Sequence, residues 1–152
     1  MNDIYKTPES DLESEKPSVG YDFKLYTIPA IGLATFFGTI LAGGVILAIN
    51  FRNLGKESAA RNAIIYSALA TLAVFSLAFL IPDDVNVPNV IFTVIQLVAM
   101  IQIAKKLQEA DIKIHIDNGG LLASNWKAFG ISLLILIALM AILFLVVMVF
   151  MS

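Results

Sequence analysis

The residues best suited to chemistry lie close together, in and just before the stretch "IKIHIDNGG" at 112–120. His115 is the only histidine in the chain, with Asp111, Lys113 and Asp117 beside it. The stretch alternates apolar and polar residues, which is the pattern of a strand. In an extended strand residues two apart share a face, so Asp111, Lys113, His115 and Asp117 would line up. One imidazole and two carboxylates could begin a metal site, but a site of that kind wants further ligands. A solvated strand face carries the same residues. On that reading Ile112, Ile114 and Ile116 turn inward and Lys113, His115 and Asp117 offer a surface to a partner. Asn118, Gly119 and Gly120 would reverse the chain. No serine sits in a nucleophile elbow and no glycine loop follows a strand to cradle phosphate. The chain has no cysteine, which excludes disulfides and thiolate chemistry. The sequence therefore points to no catalytic residue, no metal and no cofactor.

The elements around this stretch are of another kind. The chain has 152 residues, of which 59% are hydrophobic and 14% charged, and a mean hydropathy of +0.85. Soluble domains are roughly 45–50% apolar and about 25% charged. Four apolar runs cover about 27–50, 62–81, 89–105 and 128–151, and the charges fall outside them except for Lys105 at the end of the third. About 20 helical residues cross a hydrocarbon core of about 30 Å. In lipid the backbone must satisfy its own hydrogen bonds, and runs this long and uniform fit helices. The fold expected is an all-α integral membrane protein: four transmembrane helices in an up-down bundle, with a short β-like ribbon between helices three and four. The third run is the shortest and needs Asn89 and a snorkelling Lys105 to complete it.

Residues 1–20 are acidic, polar and proline-containing, a composition that cannot bury enough apolar surface to fold alone. No basic segment followed by a short apolar one suggests a cleavable signal. Tyr21, Phe23 and Tyr26 suit a membrane interface. Gly55 is placed to end the first helix and Ser58 to cap the second, with Glu57 four residues before Arg61. Pro82 and Pro88 bracket an acidic loop. Ser124 or Asn125 can cap the fourth helix, with Trp126 at the interface.

Lysine and arginine near span ends orient a membrane protein. The first loop has Arg52, Lys56 and Arg61, and the third has Lys105, Lys106, Lys113 and Lys127. The second loop and the C-terminus have none, and the N-terminal segment has Lys6, Lys16 and Lys24. With four spans this places loops 51–61 and 105–127 in the cytoplasm and both termini outside.

Within the spans, Ala30, Ala34, Gly38 and Ala42 repeat at four-residue spacing and form a small-residue face. Such faces let helix backbones approach closely. The partner is either the second span, through Ala63, Ser67, Ala70 and Ala73, or a second molecule. Thr93 and Gln96 are polar groups inside the third span, and Gln96 needs a hydrogen-bond partner there. They face the bundle or line a polar path. No span contains an ionisable group in its interior, which argues against proton-coupled transport.

"YKTPESDL" resembles the Tyr-x-x-Pro-x-(Ala/Ser)-x-Leu tail that opens several families of small bacterial membrane proteins, including RDD-like ones. Those tails often begin Asn-Pro-Tyr, where this chain has "NDIY". "LAGGVILAINFRNLGKESAAR" and "HIDNGGLLASNWKAFGI" are similar to segments of a loose group of uncharacterised bacterial multi-span proteins. The resemblance covers about a third of the chain and implies no catalytic residue. It implies a bacterial inner-membrane protein. The function expected is non-enzymatic: an accessory or interaction subunit whose partners are the lipid bilayer and a membrane protein or its own copies, and not nucleic acid. The alternatives are a small oligomeric channel or transporter subunit, or an immunity or stress protein of the membrane.

Overall fold

A computed structural model describes residues 22–82 and 88–151. These form β1 (Lys24–Leu25), α1 (Ile28–Asn53), α2 (Glu57–Leu80), α3 (Asn89–Asp117), β2 (Leu121–Leu122) and α4 (Asn125–Met151). All four helices are long and apolar enough to cross a membrane. The tail 1–20, Tyr21 and the acidic loop at 83–87 lie outside the described residues.

The first helix does not run straight. Gly38 (φ −120°, ψ 19°) and Thr39 (φ 68°, ψ −179°) leave helical geometry and split it into α1a (28–37) and α1b (40–53). A straight helix over 26 residues would hold its ends about 39 Å apart. Instead the Tyr26 amide donates to Asn50 Oδ1 at 2.7 Å, and Asn50 Nδ2 returns a bond to the Tyr26 carbonyl at 2.8 Å. Asn53 Nδ2 donates to the Lys24 carbonyl. Gly43 lies so close to Thr35 that a Cβ there would collide with the Thr35 hydroxyl. The segment is therefore a helical hairpin, with arms of about 15 and 21 Å and its tip at 38–39. Thr27 starts α1a, its hydroxyl accepting from the Ala30 amide at 3.3 Å, with Pro29 in the first turn.

This overturns the expectation of one straight first span. It also moves the start of the chain's described part: residues 24–26 lie against 50–53, at the same end as the α1–α2 loop. β1 and β2 pair in parallel, Lys24 with Leu121 and Leu25 with Leu122. That pairing brings the α3–α4 connection to this end too. Lys24, expected opposite the two basic loops, therefore lies at the same end as both.

The hairpin is the hub. Helices α2, α3 and α4 each pack on α1 and barely touch one another. Of the most apolar window of α1, 67% is buried, against 6% in α4. The core runs along the hairpin through Ala30, Ile31, Ala34, Ile46 and Leu47. A conventional bundle, with spans two and three side by side, is not what forms. Gly38 meets Ser132 of α4, Gly43 meets Met100 of α3, and Gly44 meets Ser67 of α2. Different small residues of one element thus admit three different neighbours.

Helix α3 runs through the stretch expected to be a strand. Residues 112–117 are helical to Asp117. Met100, Ala104, Gln108, Ile112 and His115 are all buried, and their spacing of three and four is that of one helix face. The apparent alternation is the end of this stripe. Gly119 (φ 76°) then stops the helix, its amide bonding to the Ile116 carbonyl and that of Gly120 to the His115 carbonyl. The Asn-Gly-Gly run is a helix stop of the Schellman type and not a hairpin turn. Gly55 (φ 72°) ends α1 by the same pattern. Lys56, without a side-chain cap bond, takes the capping position of α2 in place of Ser58.

Candidate functional site

The polar groups gather at two places: the end where 24–26, 50–56, 108–118 and 121–127 meet, and the hairpin tip.

At the polar end, Asn50 is fully buried and joins three segments. Besides its two bonds to Tyr26, its Nδ2 donates to Gln108 Oε1 at 2.9 Å, and Gln108 Nε2 donates to the Leu47 carbonyl at 2.8 Å. Both amides find donors and acceptors, as buried amides must. Lys56 Nζ lies 2.6 Å from Asp111 Oδ2, tying the start of α2 to the last turns of α3. The pair is partly exposed and contributes under about 1 kcal/mol.

His115, expected to face water, is 1% exposed. Its Nε2 is 2.9 Å from the Leu121 carbonyl. A carbonyl only accepts, so Nε2 carries the proton. The ring stacks on Phe23 at 5.1 Å, and Gly120 is packed so closely that a Cβ would strike the imidazole. His115 thus clasps the end of α3 to the β1–β2 pair. Lys113 and Asp117 are exposed. On a helix Asp111 and His115 share one face and Lys113 and Asp117 the opposite one, so the expected single polar face does not exist. Among the described residues no group of three or more His, Asp or Glu could hold a metal ion.

Tyr26, Lys24, Asn53, Ser124, Lys127 and Asp22 line a cleft of about 480 Å³ at this end. Ser124 Oγ accepts from the Trp126 amide at 3.2 Å, capping α4 as expected. Trp126 itself is 81% exposed. Burial pushes the Tyr26 phenol above the ordinary tyrosine value.

At the tip, Gln96 Oε1 accepts from the Ile40 amide at 3.2 Å. The side chain singled out in the third apolar run thus supplies an acceptor to the first turn of α1b, which the break has left without one. Thr93, one turn before it, is half-buried. Ala30, Ala34, Gly38 and Ala42 are all buried. The break puts Ala30 and Ala34 on one arm and Ala42 on the other, so the expected single small-residue face does not form, and Gly38 at the tip abuts the Ser132 backbone of α4 and not α2. The Thr39 hydroxyl is buried and has no partner among the described residues.

An apolar groove of about 520 Å³ lies between α2 and α3 over the back of α1b, between Leu47, Ala63, Tyr66, Met100 and Ile103. Sequence reasoning missed Asn50 and Gln108. The signal was available: each is a lone amide on an otherwise apolar helical stripe.

No known protein family matches this chain, and no curated protein or solved structure matches it either.

Proposed function

We propose that the chain is a multi-pass protein of a bacterial cytoplasmic membrane, with α2, α3 and α4 crossing the bilayer and α1 entering it as a re-entrant hairpin. Its role is that of a non-enzymatic accessory subunit that binds another membrane protein. The charge distribution supports the placement. Lys24, Arg52, Lys56, Arg61 and Lys127 belong to the end where the hairpin begins and closes, and Lys105, Lys106 and Lys113 to the last turns of α3 that reach it. Lys6 and Lys16 precede it in the chain, so every lysine and arginine belongs to one end or leads into it. That end is cytoplasmic under the positive-inside rule, and the N-terminus is cytoplasmic with it. The C-terminus then lies outside.

One observation carries the binding role. Beyond the hairpin tip, where Gln96 meets Ile40, the last turns of α2, the first turns of α3 and the outer half of α4 pack little on the hub or on each other. Along α4 every described side chain from Met140 to Val149 is exposed. Between helices in lipid, close packing and polar contacts drive association, and these segments are open to a partner. The natural absence of cysteine permits the test without background. Single cysteines at Leu134, Ile142 and Leu145, carrying a short photo-cross-linker in native membranes, are expected to give a discrete protein adduct along one face of α4. Adducts to lipid alone at all three positions would rule the role out.

A second reading, a small oligomeric channel or transporter subunit, is favoured by Gln96 and the broken helix at the tip. Broken helices inside membranes often mark ion or solute sites. Liposome flux abolished by Gln96→Leu would select it over the accessory role.

A further inference from the structure

Helices α2 and α3 wall the apolar groove over α1b and barely touch each other. The α2 wall is lined by the small side chains Ala59, Ala63 and Ala70, the α3 wall by Ile103 and Leu107. From Ala59 to Ala70 the groove runs about 17 Å along the helix. That is close to the hydrocarbon depth of one bilayer leaflet, half of about 30 Å. Ile40, at the hairpin tip, marks its deep end. At the polar end the Lys56–Asp111 pair spans the two walls one turn beyond Ala59 and Leu107. A groove between two membrane-crossing helices does not stay empty, and a lining this apolar does not hold water. A helix about 10 Å across fills about 1,300 Å³ over that length, more than twice the groove's volume of about 520 Å³. A single acyl chain is thin enough to enter. Charge favours the same occupant. Asn62 lines the polar end, and Lys106, next to Leu107 of the wall, has no ion-pair partner among the described residues. Asp111 is taken by Lys56, and Lys105 and Glu109 stand together on the far side of α3. The groove is thus apolar along one leaflet and carries an uncompensated positive charge where a phosphate would stand.

We propose that the groove holds one acyl chain of an anionic phospholipid, its headgroup at Lys106 and Asn62, and that this chain supplies the contact between α2 and α3 that the protein itself lacks. The site rests on the membrane placement proposed above and not on the accessory role.

The full chain, purified in a mild detergent, is weighed intact by native mass spectrometry. One phospholipid retained per chain is expected, and phosphatidylglycerol should replace it at lower concentration than phosphatidylcholine. Ala59→Phe and Ala70→Phe fill the two ends of the groove. Each should lower retention by about tenfold or more, the loss of two or more buried methylenes. Leu72→Phe, outside the groove and 63% exposed, should leave retention unchanged. Unchanged helical circular dichroism shows that a variant is folded, and the wild-type count needs no substitution at all. Lys106→Gln, at an exposed position, should cut the preference for phosphatidylglycerol by about fivefold. An unaltered preference would overturn the headgroup placement. No retained lipid in the wild type, or equal retention in all three Phe variants, would overturn the site and leave the membrane placement, which topology labelling tests, standing. A protein dimer that both groove variants abolish would put a second copy of the chain in the groove and overturn the lipid.

Discussion

At the residue scale, one amide does the work of several contacts. Asn50 bonds both backbone groups of Tyr26 and the side chain of Gln108. An apolar isostere leaves the Tyr26 amide and carbonyl buried and unpaired, at about 1–3 kcal/mol for each group. Asn50→Leu is therefore expected to destabilise the fold by about 2–5 kcal/mol, measured by denaturant unfolding in micelles. Gln108→Leu should cost less, because only the Leu47 carbonyl and one bond to Asn50 are lost. The double variant should cost less than the sum of the two, since both share one bond. Thr39 makes the opposite case. It occupies a backbone region nearly confined to glycine, and its hydroxyl is buried without a partner among the described residues. Thr39→Gly should raise stability by about 1 kcal/mol in the same measurement. A loss of stability would show that the side chain contributes more than its conformation costs. Gly38→Leu, pressed against the backbone of Ser132, should cost more than either change returns.

At the element scale, the hairpin decides the architecture. Spin labels at Asp22 and Leu54 test it directly. A straight first span separates them by over about 40 Å, whereas the observed hairpin holds their neighbours Lys24 and Asn53 in contact. A short distance distribution is expected, and a long one would return the first run to a plain span. The sequence made the four apolar runs legible, because hydropathy and length are properties of composition. It did not make the turn legible. Glycine and threonine are both tolerated in membrane helices, so Gly38-Thr39 leaves no gap in an apolar run, and direction is carried by long-range bonds such as Tyr26 to Asn50. The strand read at 112–117 failed for a related reason. Five or six alternating residues fit either period, and the stripe from Met100 through Gln108 to His115 needed a longer window to be seen. Gln96 was legible as a polar group needing a partner. That the partner would be a broken backbone was not.

At the scale of the whole molecule, the proposed re-entrant hairpin reverses the sidedness expected for the N-terminus. With four full crossings, Lys6, Lys16 and Lys24 stood against seven lysines and arginines on the other side. Under the proposed three crossings and re-entrant hairpin, all ten lysines and arginines are counted on one side. The expected outcome is concrete. In intact cells a membrane-impermeant maleimide should label a cysteine placed at Ser152 and spare one placed at Ser18. Both sites should react once the cells are opened. Labelling at Ser18 in intact cells would restore an outward N-terminus.

The hub also sets an order in time. The hairpin is the first described helical element to be synthesised, yet its contacts come from later residues. Gln108 follows Asn50 by 58 positions, which at about 5–20 residues per second is roughly 3–12 s of translation. Until then Asn50 has Tyr26 alone, β1 has no strand beside it, and Gly38 has no Ser132 to lean on. The first helical element made is the last to be completed. During that interval the seats it offers to Gln108 and Ser132 stand empty.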